Sequence, residues 1–496
     1  MDTPVRTTLH IPLGRVSRWY DYITTNVFYL GLTTVAQTNG LIFPILIEDF
    51  VGEAQKATFY GNLRLWTLMV ALLIQSAMGM ISDRSTTAWG RRRPFIFLGT
   101  FFSLVFLVGL MFSTGMEGLS GYWFLFATAI LLSISTNTAQ AAEQALIPDL
   151  VPEEKRGRFS GVKAIFELPV PLLLVSLVIA YLVNQNKLSA GILVAIGVLG
   201  FTMLLTMLVP EHAVDADPKP LDWTPFLRLF LMTGLFTATI LGFGQIVRFF
   251  GGLTEDSHSL PLMLFSMGVI GMLGITGAIA VGVWLSVRIS LGGASRQLSG
   301  FTWWIINRLA YLVGAVNIAI FAVFFIQARL GYIRETAAKP ASILMLVVGI
   351  FILATALPSG WLADRYGHKR LVAFSGITAG LGTLIALLLP NLLVIYIGGS
   401  LLGAATGVFY TANWALGTEI VPEGEAARYL GISNLAGAGA GAVGAYIGGP
   451  IADFFTLHVP ELPGIGYVLL FGIYGSLFLF SVVALARVKI SPASSA

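Results

Sequence analysis

The feature that most constrains this chain is the recurrence of solidly apolar runs of about twenty residues, the length at which a helix spans a bilayer. Such runs recur from residue 22 to residue 487, separated by charged or Gly/Pro-rich breaks. Lipid offers the backbone no hydrogen-bond partners, so a spanning chain must form helices or a closed barrel. Barrel strands alternate apolar and polar residues over about ten positions, and these runs do not. The runs therefore predict membrane helices.

Composition supports the same class of protein. Hydrophobic residues make up 56% of the chain and charged residues 11%, against about 25% charged residues in a typical soluble domain. The absence of cysteine excludes disulfides and thiolate chemistry, and the five histidines show no metal-ligand spacing. No phosphate-binding Gly-x-x-x-x-Gly-Lys-Ser/Thr run occurs. We predict an all-α polytopic membrane protein that is not an enzyme, uses no cofactor or metal and binds no nucleic acid.

The breaks between the apolar runs divide the chain into about fourteen predicted spans. These spans are 22–46, 59–81, 94–114, 121–147, 160–184, 188–209, 225–249, 260–288, 300–328, 341–363, 370–389, 391–417, 429–454 and 465–487. Most of the 29 Lys and Arg residues fall in loops on one side of this layout. Because positive loops stay inside, both termini are predicted to be cytoplasmic, in a multi-pass protein of the cell membrane.

Two loop patterns occur twice, in the same order and two spans apart each time. The first pattern is at 79–93 and again at 360–370, and the second is at 149–161 and again at 419–431. Such recurrence predicts an internal repeat of two six-helix halves, as in many transporters. The predicted division is an N-terminal half at 1–210, an inserted helix pair with its linkers at 211–299, and a C-terminal half at 300–496.

These loops carry a family resemblance. The loop at 360–370 has the Gly-x-x-x-Asp-Arg-x-Gly-x-Lys-Arg pattern and resembles the loop between the second and third helices of each half in the major facilitator superfamily. The loop at 79–95 has four extra residues before Gly90 and is similar to that of the sucrose and glycoside-pentoside-hexuronide transporters, as is Gln75. The resemblance implies a major facilitator fold and a secondary transporter that functions as a monomer.

The charged residues of these loops are candidates for a cytoplasmic gate. In the plain alternative, basic clusters merely hold the loops inside. In the gate hypothesis, an aspartate accepts hydrogen bonds from a helix N-terminus of the other half in one alternating-access state only. The candidates are Asp83, Arg84, Arg91, Arg92, Arg93, Arg158, Asp364, Arg365, Lys369, Arg370, Glu419 and Arg428.

Glu143 and Arg308 are ionisable residues inside predicted spans, where charge is costly and usually functional. Burial disfavours an ionised carboxylate, which suits a proton carrier. We expect Glu143 and Arg308 to meet across the cavity when it is closed to the inside, and protonation of Glu143 to loosen them. The alternative is a carboxylate permanently paired with a cation. Arg64 is a weaker candidate, placed near the outer interface where its side chain can snorkel.

Neutral polar residues inside the spans complete the candidate substrate site. Amide and hydroxyl groups suit a hydroxyl-rich ligand, although ordinary interhelical hydrogen bonds would explain the same residues. The candidates are Gln37, Asn39, Gln75, Asn137, Gln140, Gln144, Asn317, Tyr410 and Asn413.

The resemblance also fails at two positions. The sucrose transporters carry an aspartate early in the fourth helix and an arginine eleven residues later, and the matching positions here are Ser133 and Gln144. Three functions therefore stay open. The first is a carrier of a sugar or glycoside, facilitative or proton-coupled. The second is an exporter of amphipathic compounds, and the third is a membrane scaffold or assembly factor that no longer transports. A polar cavity around a charge favours the first, an apolar cavity open to lipid the second, and a collapsed cavity the third.

Overall fold

The computed structural model describes residues 18–211, 223–254, 259–291, 299–420 and 426–488. We label its membrane helices α1 to α14 in chain order. They are α1 Phe28–Val51, α2 Lys56–Ser82, α3 Arg93–Ser113, α4 Gly118–Leu150, α5 Glu153–Glu167 continued by Pro169–Leu174 and Ala180–Asn184, α6 Leu188–Thr206, α7 Thr224–Gly252, α8 Leu260–Leu291, α9 Ser299–Ile320 continued by Ala322–Leu330, α10 Arg334–Tyr366, α11 His368–Leu388, α12 Leu392–Ile420, α13 Ala426–His458 and α14 Ile465–Ala486. A single turn, Asp21–Thr24, precedes α1.

The predicted fold class is confirmed. Within the described residues, thirteen helices are long and apolar enough to cross a membrane. The fourteenth, α13, has 33 residues and overlaps the span predicted at 429–454. The predicted span 300–328 consists of two helical segments that meet at Phe321. Several helices extend beyond their predicted spans, such as α10, which begins at Arg334, because a helix need not end where its apolar run ends.

The fifth span is interrupted where two prolines enter it. The helix breaks at Leu168, which has φ −125° and ψ −68°, and resumes at Pro169. A π-helical turn follows at Val175–Ile179. Proline has no N–H to donate and its ring crowds the preceding turn, so the hydrogen-bond ladder cannot run through 169 and 171. The break brings Ser176 against α10, where its hydroxyl donates to the carbonyl oxygen of Ser342 at 2.9 Å.

We call α1–α6 the first half and α9–α14 the second half. The two halves meet where α2 packs on α13 and where α5 packs on α10. Glycines allow the closest approach, because a β-carbon at Gly61 would collide with the backbone of Ala445, and one at Gly449 with the backbone of Ala57. Small residues at such positions let helix backbones pack closely.

The pair α7 and α8 packs on itself and against α13, outside the contact between the halves. The ring of Phe236 in α7 lies against Gly282 of α8 and Gly439 of α13. Near the other end of α7, the guanidinium of Arg248 lies 5.1 Å from the ring centroid of Tyr446 in α13. No residue of this pair lines the cavity that lies between the halves.

The two ends of the bundle differ. We call the end that carries the loops 83–93 and 364–370 the Arg-rich end, and the opposite end, where α2 begins, the Lys56 end. A β-carbon at Gly79 or Gly437, both toward the Arg-rich end, would meet nothing within 4 Å. Toward the Lys56 end, the same two helices touch at Gly61 and Gly449. The helices α2 and α13 are therefore packed together at the Lys56 end and apart at the Arg-rich end.

Candidate functional site

A cavity of about 380 Å³ lies between the two halves. It is lined by residues of α1, α2 and α5 from the first half and of α9, α10 and α12 from the second half. Its volume falls within the range of small-molecule sites, which is roughly 300–1,000 Å³. Most of its wall is aliphatic, and its polar lining residues are Gln37, Tyr60, Arg64, Ser176, Ser342, Thr406 and Tyr410.

Arg64 is the cation that lines this cavity. It lies eight residues after the start of α2, about 12 Å along the helix. Positions 57, 61 and 65 of α2 are buried in the bundle, whereas Tyr60 and Arg64 lie on the face toward the cavity. The side chain of Arg64 makes no hydrogen bond, ion pair or ring contact with any described residue, and its Nε is buried without an acceptor.

Four residues close the Lys56 end, and we call them the latch: Glu48, Lys56, Gln327 and Asp453. The Nζ of Lys56 lies 3.2 Å from the Oε2 of Glu48 and donates to the Oε1 of Gln327 at 3.0 Å. Gln327 in turn donates through its Nε2 to Glu48 at 2.7 Å. The Lys56 and Glu48 side chains are 3% and 9% exposed. Because Gln327 belongs to α9, its hydrogen bonds to Lys56 and Glu48 join the first half to the second.

Asp453 makes the second connection of the latch. Its Oδ1 accepts from the backbone N–H of Ala57 at 3.1 Å, and its Oδ2 from that of Thr58 at 2.7 Å. These are free N–H groups of the first turn of α2, where the helix dipole favours a negative charge. The residue is 6% exposed and belongs to α13. A carboxylate of the second half thus caps a helix of the first half.

The Arg-rich end has a different pattern, in which the charged groups bind within their own half. Arg92 is 3% exposed, and its Nη2 lies 2.6 Å from Asp83 and 2.8 Å from Asp149. Its Nη1 donates to the hydroxyl of Ser82 at 2.6 Å. The carboxylate of Glu211 accepts from the backbone N–H of Arg92 at 2.7 Å and so caps the start of α3.

The second copy of the loop is also closed on itself. His368 contacts the carboxylate of Glu419 at 2.6 Å and that of Asp364 at 3.7 Å. Lys369 donates to the carbonyl oxygen of Val488 at 2.7 Å, and Arg365 lies over the ring of Trp361. All of these contacts of His368, Lys369 and Arg365 lie within the second half.

The other gate candidates lie nearby. Arg84 donates to the carbonyl oxygen of Met80 in its own helix at 3.1 Å. Arg158 and Arg370 are exposed, whereas Arg91 and Arg93 are partly buried at the start of α3. The side chain of Arg428 lies outside the described residues. The gate therefore stays a prediction.

Glu143 and Arg308 are both buried but do not pair with each other. Glu143 is 1% exposed, and neither of its carboxyl oxygens has a hydrogen-bond partner among the described residues. The charged group that acts on Glu143 is the ammonium group of Lys163 in α5. The ring of Tyr29 in α1 lies beside this ammonium group. Arg308 is 9% exposed and donates to the Oδ1 of Asn413 at 3.0 Å.

The neutral candidates separate into three groups. Gln37 and Tyr410 line the cavity. Gln75 donates to the Oε1 of Gln144 at 3.1 Å, in the exposed gap toward the Arg-rich end.

The remaining neutral candidates bind their own or neighbouring helices, or lie beside them. Asn317 is fully buried and donates to the carbonyl oxygens of Val313 and Ala440, and Asn413 donates to Asn307. Asn137 donates to the carbonyl oxygen of its own helix. Asn39 and Gln140 are partly buried and do not line the cavity.

The latch and most polar groups of the cavity were missed by reasoning from the sequence. One usable signal was Asp453, an acid inside the last turns of an apolar span. Another was the spacing of Tyr60 and Arg64, four residues apart and hence on one face of α2. The hydroxyls of Ser176, Ser342 and Thr406 carry no such signal, since serine and threonine occur throughout these helices.

Solved structures with the same fold are transporters. A D-xylose–proton symporter superimposes with a TM-score of 0.64 over 96% of this chain and 99% of its own, at 14% identity. The nucleoside transporter NupG superimposes with a TM-score of 0.61 over 95% and 100%, at 12% identity. A peptide transporter POT in complex with sulfate superimposes with a TM-score of 0.65 over 95% and 96%, at 12% identity. Identities this low establish the fold alone.

Curated relatives match over shorter stretches. A multidrug resistance protein B homolog of Mycobacterium tuberculosis is 28% identical over 148 residues, which are 29% of this chain and 25% of the relative. The minor myo-inositol transporter IolF of Bacillus subtilis is 34% identical over 88 residues, 18% of this chain and 20% of the relative. The matched regions thus span a quarter or less of these relatives.

The family is established over most of the chain. The sequence model of the Major Facilitator Superfamily matches residues 28–332 and 304–496, which include every element that lines the cavity or forms the latch. With an all-helical bundle that superimposes on solved transporters over nearly its full length, this match identifies the chain as a multi-pass membrane transporter of the Major Facilitator Superfamily.

Proposed function

We propose that this protein is a secondary active transporter that moves a small polar organic solute, such as a sugar or glycoside, through the central cavity by alternating access. The observation that carries the proposal is the asymmetry of contacts around the cavity. The hydrogen bonds that join the halves within the described residues lie at the latch or at the cavity wall, from Ser176 to Ser342. A cavity closed at one end by breakable polar contacts is what an alternating-access cycle requires.

We assign the Arg-rich end to the cytoplasm, following the excess of Lys and Arg in its loops. In that orientation both termini are cytoplasmic and the conformation described here faces inward. Arg92 and His368 then bind carboxylates of their own halves, which supports the gate hypothesis for this state. We further propose the division into residues 1–210, 211–299 and 300–496, supported by the position of α7 and α8 outside the cavity.

Proton coupling is assigned to Glu143. An ionised carboxylate without hydrogen-bond donors is costly in a site that is 1% exposed, which supports a proton carrier. The groups that face it are Tyr29 on α1 and Lys163 on α5, and Lys163 also lies 3.6 Å from Glu167. Glu143→Gln is expected to abolish pH-driven uptake and to spare exchange at equal pH, because exchange needs no net proton movement. Unaltered pH-driven uptake in both Glu143→Gln and Arg308→Lys would refute the coupling.

A second candidate is export of amphipathic compounds, which the largely aliphatic wall of the cavity favours. The two candidate functions are distinguished by a counterflow assay in liposomes that contain the purified protein. One panel of solutes consists of sugars and glycosides, and the other of amphipathic cations. Accumulation of a labelled sugar or glycoside against its own unlabelled pool is the result expected here. Accumulation of the amphipathic cations alone favours the exporter, and accumulation of nothing in either panel contradicts transport of these solutes.

The alternating-access part of the proposal is tested with a reversible lock. The chain has no cysteine, so Thr58→Cys with Asp453→Cys supplies the sole thiol pair, across the contact where Thr58 donates to Asp453 at 2.7 Å. Oxidation is expected to stop counterflow and reduction to restore it, while either single-cysteine variant is insensitive to both. Counterflow that persists in the fully cross-linked protein would contradict alternating access at this end.

A further inference from the structure

The central cavity holds a cation without a counter-ion. Arg64 lines it, and none of the lining residues is an aspartate or glutamate. The two carboxylates of the latch are engaged elsewhere, since Glu48 pairs with Lys56 and Asp453 caps the start of α2. A guanidinium in a water-poor site is costly unless an acceptor satisfies it.

The second cation on the path also lacks an acidic partner among the described residues. Arg308 binds the neutral amide oxygen of Asn413 and lies 5.6 Å from the ring centroid of Trp414. Arg308 also lies near enough to Tyr410, which lines the cavity, to interact with it electrostatically. The path past Arg308 and Arg64 therefore presents two cations that no described carboxylate pairs with. Such a path attracts anions and repels cations.

From these contacts we propose that Arg64 binds an anionic group of the transported solute, a carboxylate carried on a partly apolar body. The guanidinium offers a planar fork that matches a carboxylate through two parallel hydrogen bonds. Opposite it, the wall is aliphatic, with Leu172, Val316 and Met345 among its lining residues, and suits the rest of such a solute. This inference rests on the proposed transport function and narrows its solute to organic anions.

The anionic preference can be measured without knowing the solute. Ala319 lines the cavity and is exposed to it, so Ala319→Cys places one reporter thiol in a chain that has no other. The protein is treated with two thiosulfonate reagents of similar size, one bearing a sulfonate and the other a trimethylammonium group. Their rates are normalised to those with free mercaptoethanol. We expect the anionic reagent to react at least about tenfold faster, because a charged cleft changes local ion concentrations by such factors.

Matched variants assign this preference to Arg64. Arg64→Gln in the reporter background is expected to reduce the ratio to about twofold or less, and Arg64→Lys to preserve it. The matched control is Arg248→Gln, since Arg248 is also partly buried with an unpartnered Nε but lies outside the cavity. A ratio near one in the parent protein, or a ratio that falls only in Arg308→Gln, would overturn the assignment.

A second measurement tests the carboxylate itself. Glucuronate is compared with glucuronamide, and hexanoate with hexanamide, as ligands that shift the melting temperature of the purified protein. We expect the acid of at least one pair to stabilise the protein more than its amide, and Arg64→Gln to remove the difference. Equal shifts, or none, in both pairs contradict a carboxylate ligand. Glucuronate and hexanoate are therefore added to the counterflow panels. A lost reagent ratio with intact counterflow refutes the anion site alone, whereas absent counterflow of every solute, these anions included, with an intact ratio refutes the transport proposal alone.

Discussion

The latch predicts that Asp453→Asn shifts the protein toward the conformation open at the Lys56 end. The carboxylate accepts two backbone N–H groups of α2, at 3.1 and 2.7 Å, and in the proposed cycle these bonds break when that end opens. Hydrogen bonds to a charged group contribute about 1.5–3 kcal/mol each. Asparagine keeps one acceptor oxygen, so roughly one such bond is lost. The interaction of the charge with the helix N-terminus, about 0.3–1 kcal/mol, is lost with it.

The closed conformation is therefore destabilised by about 2–4 kcal/mol relative to the open one, a shift of roughly 30- to 900-fold in their ratio. The assay uses Val323→Cys, a 4% exposed residue of α9 that lines the cavity. A membrane-impermeant maleimide is added to intact cells, on the side assigned to the Lys56 end. In the parent protein the latch blocks the reagent and labelling is slow, while Asp453→Asn is expected to raise the labelling rate at least tenfold.

The matched control is Glu461→Gln, which removes an exposed carboxylate in the loop between α13 and α14 at the same end. Its labelling rate is expected to equal that of the parent. Asp453→Asn with an unchanged labelling rate, in protein that elutes as a single folded species, would refute the role of the latch in closing this end.

Two further substitutions test the contacts between α2 and α13 and the ion pairs of Arg92. Gly449→Ala forces α2 and α13 apart where they touch, at a cost of about 1–3 kcal/mol for overpacking. It should therefore raise the rate at which Val323→Cys is labelled roughly 5- to 100-fold. Gly437→Ala, at a position with open space around it, should not change the labelling rate. Arg92→Gln removes a 3% exposed cation from two carboxylates and should lower the free energy of unfolding by about 2 kcal/mol, measured as a lower melting temperature in detergent. Arg91→Gln, at a partly buried neighbour that pairs with no carboxylate among the described residues, should leave the melting temperature close to that of the parent. Equal effects within either pair would contradict the contacts described.

The membrane architecture was readable from the sequence. Apolar runs of about twenty residues determine helices in lipid whatever the tertiary contacts are, because the backbone has no other partner there. The break in α5 was likewise local, since Pro169 and Pro171 act on their own helix. The repeated loops at 79–93 and 360–370 carried the family, which the superfamily match over 28–332 and 304–496 confirms.

Which way a residue faces was much harder to read. In these helices the apolar residues surround the whole circumference, because lipid and neighbouring helices are both apolar, so amphipathic periodicity hardly marks the inner face. Arg64 was accordingly placed at the interface, although its face of α2 turns toward the cavity. Asn317 and Asn413 were candidates for the substrate site for the same reason, yet both are fully buried and bind neighbouring helices.

By itself, the sequence determined that this chain spans the membrane many times and carries the same loop pattern twice, because hydrophobic length and loop motifs are properties of neighbouring residues. The tertiary structure alone decided what those helices enclose. Glu48 and Gln327 are 279 positions apart, and Thr58 and Asp453 are 395 apart, yet each pair forms one hydrogen bond. Contacts between such distant residues depend on how the helices pack, and packing sets both the closed end and the unpaired cation of Arg64.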